Sequence, residues 1–297
     1  MIPEDSGGSP DAAHPAGGVA AVIAAAAPSL RPSDARVMRL VLEEPDFVRG
    51  ATVAAVAERA EVSPSTVVRA CHAAGFGGFP ELKLALVREA ARSADNVPRT
   101  LSAGTGLDEV YATVLASHGD SVRSVRATLD LAHLERAVQM LTAAAHILVV
   151  GVGTSAAPAA DAAYRLTTIG CRAEAPADGR TRQLRASLLD EDDVILAVSH
   201  TGRSAETLAA VEAARLREAK IVAITSFSSS PLADHAHAVL VAGGPDLGFQ
   251  MAASSSRLAH LAVVDILHAA IGLSAPARSH AAMRATADIT DANSLPG

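Results

Sequence analysis

Two periodicities divide this chain. Between Ser33 and about Arg92, apolar residues recur at helical spacing with no strand-like alternation; Val37, Leu40 and Val41 form the first such set. Ser33 or Asp34 is placed to cap this first helix, and Pro45 closes it. Thr52 opens a second, short helix through Val53, Val56 and Ala57 that ends near Ala60. Glu61-Val62-Ser63 then makes a tight turn. Ser63 caps a third helix with Pro64 at its first position, where the missing N–H costs no hydrogen bond. Val67, Val68 and Cys71 are expected to face inward, and Gly75 to end that helix. A fourth spans about Phe79 to Ala91. Further helical segments follow from Leu107 to about Thr128 and from Leu134 to Ala144.

After His146 the rhythm changes. His146–Val150, Cys171–Glu174, Val194–Val198, Lys220–Thr225 and Ala238–Val241 are short apolar runs that read as buried strands, with helices between them and a last helix from about Ser256 to Ile271. Such alternation implies a five-stranded parallel sheet covered by helices on both faces, with ligands at the carboxyl ends of the strands. The expected organisation is an all-α unit over 29–92, a linker over 93–106 containing Pro98, Gly104 and Gly106, and an α/β unit over 107–275. Residues 1–28, rich in Ala, Gly, Pro and Ser, read as a disordered arm, and 276–297 as a flexible tail.

A length of 297 residues suits two domains better than one. The apolar share is 49%, much of it alanine, and there is no Trp, which favours helices packed closely through small side chains. A net charge of −7 excludes a global field drawing the chain to nucleic acid, so any DNA contact must come from a local surface. Cys71 and Cys171 lie far apart and neither belongs to a CxxC or His-spaced set. No structural zinc, other metal or cofactor is expected, and a reducing cytoplasm fits. Val19–Ala27, the longest early apolar run, is too short for a membrane span and follows Glu4, Asp5 and Asp11 rather than basic residues, so no membrane partner or signal peptide is expected.

The richest chemistry lies where the third strand ends. Val194–Val198 runs into Ser199, His200, Thr201, Gly202, Arg203 and Ser204, and an amphipathic segment then restarts. A strand that becomes a helix through such a turn builds an anion cradle: the helix N-terminus leaves amides unpaired and partly positive, hydroxyls add donors, and glycine permits close approach. A simple helix cap is the alternative, but a cap needs one hydroxyl and here three crowd one glycine. Gly151-Val-Gly153-Thr154-Ser155 forms a second such loop, offering Thr154 and Ser155 as donors, or else only a tight turn. Ala156 replaces the third glycine of a dinucleotide fingerprint, and there is no Lys-Ser/Thr pair for a P-loop. Thr225-Ser226 ends the fourth strand at the same sheet edge, and Ser254-Ser255-Ser256-Arg257 precedes the last helix; each either lines the site or serves as turn or cap. His200 has no visible carboxylate partner, and no catalytic residue is assigned.

Two short helices joined by a three-residue turn suit a helix-turn-helix, with Val62 plugging the core. Ser63, Ser65, Thr66, Arg69 and His72 would project from the first turns of the second helix toward DNA, with Thr52 counted among the DNA-facing set. An ordinary helical bundle fits the pattern equally. Nine basic side chains stand against eight acidic ones between Arg31 and Arg92, so any footprint is a patch such as Arg49, Arg69 and Lys83.

The segment Ser199-His-Thr-Gly-Arg-Ser-Ala-Glu-Thr207 resembles the phosphosugar signature of the SIS (sugar isomerase) domain. The likeness extends through Gly151–Ser155, Ile224-Thr225, Pro231-Leu232-Ala233 and Ser255-Ser256-Arg257, covering roughly 125–275. Val56-Ala57, Val62 to Arg69, Gly75-Phe76 and Phe79 to Lys83 look like the helix-turn-helix of RpiR-type regulators. The two in this order are similar to that family alone. The resemblance implies a homodimeric or homotetrameric bacterial transcription factor that binds operator DNA and senses a phosphorylated sugar. By motif match, Ser199, Thr201 and Ser204 would hold the phosphate and Ser155 the opposite wall, with Gly153, Thr154, His200, Gly202, Thr225 and Ser255 around them. Relatives place basic residues where this chain has His72 and Ala73, a difference that bears on a phosphate contact. They carry Glu and Arg where this chain has Asp246 and Gln250, which bears on sugar selectivity. A sugar-phosphate isomerase or amino-sugar-phosphate etherase is the competing reading. It needs a general base, and Glu206, His200 and Asp246 form no recognisable pair. The expectation is therefore a regulator rather than an enzyme, in which ligand closes the loops after Val150, Val198 and Thr225 and changes half-site spacing across the oligomer.

Overall fold

The computed structural model describes residues 18–92, 101–243 and 252–292. Its first unit is built from α1 (Val19–Ala26), α2 (Pro32–Glu43), α3 (Pro45–Gly50), α4 (Val53–Arg59), α5 (Pro64–Ala73) and α6 (Phe79–Arg92). Val37, Met38, Val48, Val56, Val67, Cys71, Phe76 and Leu82 are buried together at its centre, so the helical spacing of the sequence becomes one apolar core.

The turn between α4 and α5 is closed by two backbone bonds, Glu61 N–H to the Glu58 carbonyl at 3.1 Å and Val62 N–H to the Ala57 carbonyl at 2.9 Å. This is a Schellman ending, and it puts Glu61 in the left-handed region at φ 53°. Val62 packs against the core as a plug. Thr52 accepts from Ala55 N–H at 3.2 Å and Ser63 from Thr66 N–H at 3.3 Å, so both are the helix caps that their positions suggest.

Several expectations need correction here. Residues 19–26, assigned to a disordered arm, form α1, whose Val19, Ile23 and Ala26 close one side of the helical core; packing rather than amphipathic pattern orders this alanine-rich stretch. Residues 1–17 lie outside the described residues, as does the 93–100 part of the expected linker. The first helix begins at Pro32 without a side-chain cap, and Asp34 is only 2% exposed and bound to Arg69. Pro45 starts α3 instead of merely ending a helix, because proline is well tolerated in a first turn. Val68 is 38% exposed, pointing away from the core. Residues 276–292, assigned to a flexible tail, form α14, and Arg278 there donates to the Thr142 carbonyl at 3.0 Å.

The second unit begins with α7 (Leu107–Thr128) and α8 (Leu131–Ala143). It continues as β1 (Ile147–Gly151), α9 (Ala156–Thr168), β2 (Ala173–Glu174), α10 (Gly179–Ala186), β3 (Val194–Ser199), α11 (Ala205–Arg215), β4 (Lys220–Thr225), α12 (Pro231–His235), β5 (Ala238–Val241), α13 (Ala252–Ser274) and α14 (Pro276–Ala292). All strand pairs are parallel and the order is β2-β1-β3-β4-β5. Alternate residues of each central strand supply opposite faces. Val149, Leu196, Val198 and Ile224 meet α9 and α13 on one side. Leu148, Val150, Ile195 and Ala197 meet α11 on the other. Among the described residues, α13 contains a 19-residue stretch long and apolar enough to cross a membrane, but its Ala259, Val263, Leu267 and Ile271 belong to the sheet core.

The left-handed Glu61 carries backbone strain that glycine would lack. Glu61→Gly is expected to hold or raise the melting temperature, whereas Glu61→Val should cost roughly 1–2 kcal/mol. Equal melting temperatures for the two variants would show that the turn stores no strain.

Candidate functional site

The strand order places the change of direction between β1 and β3: the chain moves outward to β2 on one side and to β4 and β5 on the other. In such sheets the crevice beyond the carboxyl ends at this point binds ligands. Register puts Gly151 beside Val198, so the loop 151–155 and the loop 199–204 open side by side.

The second loop is folded around its own hydroxyls. Ser199 Oγ accepts from Gly202 N–H at 3.1 Å and lies 3.3 Å from Ser204 Oγ, while Thr201 Oγ1 accepts from Arg203 N–H at 3.3 Å. Gly202 has φ 64°, and a Cβ on it would sit 2.2 Å from Ser230 Oγ, so only glycine fits. Ser204 occupies the cap position of α11 yet its side chain makes no cap bond. The first amides of α11 therefore stay available, and the simple-cap alternative does not describe this serine.

On the facing loop, Gly153 is left-handed at φ 58° and begins a short 3-10 turn, Gly153–Ser155, that leads into α9. Thr154 is exposed and Ser155 buried. Gly151 is held by crowding, since a Cβ there would come 2.5 Å from the Ser155 carbonyl oxygen. Thr225 is fully buried and donates its hydroxyl to the His200 carbonyl at 3.2 Å. It braces the cradle from behind and does not face its mouth. Ser255 lies in the first turn of α13, whose side chains there fall outside the described residues, as do Asp246 and Gln250. Ser256 is fully buried.

His200 belongs to a network that the sequence did not announce. Its Nδ1 lies 2.8 Å from Ser226 Oγ, which in turn lies 3.2 Å from Nε2 of His260 on α13. His260 is 1% exposed. Burial pushes it down to about 4, the nearby His200 adds to the effect, and a backbone hydrogen bond at Ala242 opposes it. Ser226 Oγ bridges the two imidazoles, able to donate to one and accept from the other. No local signal could have tied His260 to His200, because only the fold brings α13 over the end of β4. Both cysteines are buried, and desolvation raises their thiols, Cys71 to about 11, which leaves them poor nucleophiles.

The helix-turn-helix residues divide into two groups. Ser63, Ser65 and His72 are exposed on α5, with Ser63 Oγ 2.9 Å from Ser65 Oγ. Thr66 is buried against the cap. Arg69 is engaged: Nε and Nη2 reach Asp34 Oδ1 at 3.1 and 2.8 Å, and Nη2 reaches Ser33 Oγ at 3.1 Å. The Asp34 hydrogen bond holds this guanidinium above its usual range. Lys83 donates to the Ala51 carbonyl at 2.9 Å and lies over the Phe79 ring. Arg49 pairs with Asp46. The expected patch of Arg49, Arg69 and Lys83 is thus tied into intramolecular bonds.

A helix-turn-helix followed by a flavodoxin-like sheet with this cradle defines a DNA-binding regulator built on a SIS domain. The helix-turn-helix domain of the rpiR family matches residues 17–93, and the SIS domain matches residues 140–270. An HTH-type transcriptional regulator of Haemophilus influenzae is 31% identical over 245 residues, 81% of this chain and 85% of that protein. The bifunctional protein glk of Paraburkholderia xenovorans is 31% identical over 82% of this chain, which spans only 38% of that longer relative. The Vibrio vulnificus NanR protein, solved in complex with ManNAc-6P, superposes with a TM-score of 0.58 at 25% identity, covering 94% of this chain and all of NanR. The chain belongs to the RpiR family of helix-turn-helix transcriptional regulators with a SIS domain.

The buried His260 gives an acid-side prediction. Its folded value, about 4, lies below the ordinary 6.5, so between these the unfolded chain binds a proton that the folded chain excludes. Stability is whole above pH 6.5 and falls as pH drops toward 4, by about 3 kcal/mol in all. Thermal unfolding followed from pH 7 to 4.5 should show this loss in the wild type and much less of it in His260→Gln. The same slope in both proteins would place the acid sensitivity elsewhere.

Proposed function

We propose that the 107–275 unit senses a phosphorylated sugar and that the 29–92 unit binds operator DNA, so that the effector alters DNA binding. The uncapped Ser204 carries this reading. Three hydroxyls and the open first turn of α11 converge at the switch point of the sheet, where a phosphoryl group can take amide and hydroxyl donors together. The ManNAc-6P held by NanR supports the same ligand class. Ser199, Thr201 and Ser204 contact the phosphate, Thr154 and Ser155 form the facing wall, and His200 faces the sugar.

The role is sensing, not turnover. Glu206, in the first turn of α11, pairs with Arg182 Nη1 at 3.5 Å, and His200 Nδ1 lies 2.8 Å from Ser226 Oγ. Isomerase chemistry needs an acid–base pair at the sugar carbon, whereas Glu206 is committed to Arg182. A cytoplasmic homodimer or homotetramer accords with the outer stripe of α7, where Leu107 is 83% exposed and Tyr111 and Leu115 follow at intervals of four.

The loop after β4 supplies a route between the units. Ser226 N–H donates to the His200 carbonyl at 3.1 Å, and two residues on both Ser228 N–H and Ser228 Oγ donate to the Ala25 carbonyl at 3.0 Å. Ala25 lies on α1, whose Val19 N–H is bound by Glu89 of α6 at 2.9 Å. A change in the cradle is thereby felt at the helix that closes the DNA-binding head.

A thermal-shift screen of hexose 6-phosphates and amino-sugar 6-phosphates should raise the wild-type melting temperature. The double variant Ser199→Ala, Ser204→Ala should abolish the shift, and a retained shift would remove the phosphate assignment. For DNA, fluorescence anisotropy on a duplex selected by the wild type should show weaker binding by Ser65→Ala and His72→Ala at unchanged melting temperature. Arg69→Ala should lower the melting temperature as well, because it strands Asp34. Full DNA affinity in Ser65→Ala and His72→Ala would displace the recognition face from α5.

A further inference from the structure

Beside the first turn of α11 lies a cation that nothing in the phosphosugar signature includes. Arg182 of α10 has a side chain 9% exposed, yet its fork is mostly unfilled. Nη2 donates to the Ala177 carbonyl at 3.0 Å, Nη1 reaches Glu206 Oε2 only at 3.5 Å, and Nε is buried without a partner. Arg185, three residues along the same helix, shows what a filled fork looks like: Nε and Nη2 meet the two oxygens of Glu174 at 2.6 and 2.8 Å. A buried guanidinium has five N–H donors and a high cost of desolvation. One carbonyl and one long ion pair leave that cost poorly offset.

The surrounding acids do not complete it. Asp178 acts on Arg182 at longer range, while its Oδ1 accepts from Thr181 N–H at 3.0 Å and from the Thr181 hydroxyl at 3.2 Å. Glu206 is 66% exposed, resting over Gly179 on the rim of the site. It is the second residue of α11, directly within the turn whose amides face the cradle. The next residue, Thr207, is 1% exposed and its hydroxyl is likewise buried without a partner. Arg182 on α10 and Thr207 on α11 thus each bury a polar group without a partner, and Arg182 reaches the first turn of α11 through Glu206.

We propose that Arg182 is the cationic ligand of the phosphoryl anion, held in reserve by Glu206, which the bound anion displaces. This rests on the cradle reading above and adds to it a buried cation, beside the exposed Arg203 of the signature loop itself. In the ligand-free protein Glu206 partly neutralises Arg182. When the phosphoryl oxygens arrive, Arg182 exchanges a long contact with a solvated carboxylate for charge-assisted bonds, and Glu206 returns to water. Glu206 is then a competitor of the ligand, and this separates the proposal from a plain structural salt bridge. Removing either partner of a structural bridge costs stability and leaves affinity alone; removing a competitor tightens binding.

The test is calorimetric titration of the full-length wild type, Arg182→Gln, Arg182→Lys and Glu206→Gln with N-acetylmannosamine 6-phosphate, glucose 6-phosphate and inorganic phosphate, with ligand-free melting temperatures alongside. Arg182→Gln should weaken the Kd of the tightest probe about tenfold, Arg182→Lys should recover part of the loss, and Glu206→Gln should tighten it about threefold. Glu206 is on the surface, so its variant decides the matter even where Arg182→Gln fails to fold. Unchanged or weakened binding in Glu206→Gln, or unchanged binding in Arg182→Gln, overturns the proposal while leaving the cradle intact. Failure of the wild type to bind any of the three probes overturns the cradle reading, and this inference with it.

Discussion

The pairing of β1 with β3 is the constraint on which the rest of this molecule depends. It sets Ile147 opposite Val194 and continues to Gly151 opposite Val198, so two loops far apart in sequence leave the sheet at adjacent points. Parallel pairing also forces each return crossover to be a helix or a long connection, which covers both faces. The cradle is therefore a by-product of topology before it is a matter of side chains. Glycine then adapts the backbone at the two points where the loops crowd their surroundings: Gly151 against the Ser155 carbonyl, and Gly202 against Ser230.

Much of this could be read from residues. The strands β3, β4 and β5 stand out because their apolar runs are bounded on both sides by turn chemistry, and the helix-turn-helix because Thr52, Ser63 and Pro64 punctuate it. What escaped had weak local signals. Helix α1 is nearly uniform alanine and valine, so nothing in its pattern distinguishes a packed helix from a small-residue arm. Helices α10 and α12 are eight and five residues long, too short for a period to show. His260 and Arg182 were silent for a different reason: each acquires its meaning from a partner in another element. Thr225 illustrates the reverse. Its position at the strand end pointed to the ligand, but its hydroxyl is turned back to the loop that it supports.

Several cations of the DNA-binding head are engaged within it. Arg69 joins α5 to α2 through Asp34, Lys83 holds the segment ahead of α4, and Arg59 meets Glu44 at 2.9 Å. With alanine so frequent, few large side chains are available to lock one helix against another, and polar clamps take up that role. The outward face of α5 carries Ser65, Val68 and His72, with Arg69 half-exposed but held by Asp34. On the proposed reading of α5, recognition would lean on hydrogen bonds and shape more than on net charge, in keeping with a nearly neutral head.

If the two bonds from Ser228 to Ala25 couple the units as proposed, a thermodynamic consequence follows. A contact that carries information from one site to another cannot be directional at equilibrium: whatever factor the sugar imposes on DNA affinity, DNA imposes on sugar affinity. The operator is then an effector of the cradle. A chain already seated on DNA meets its sugar with a different affinity from one free in solution, so the concentration at which the signal registers depends on how many binding sites the genome offers.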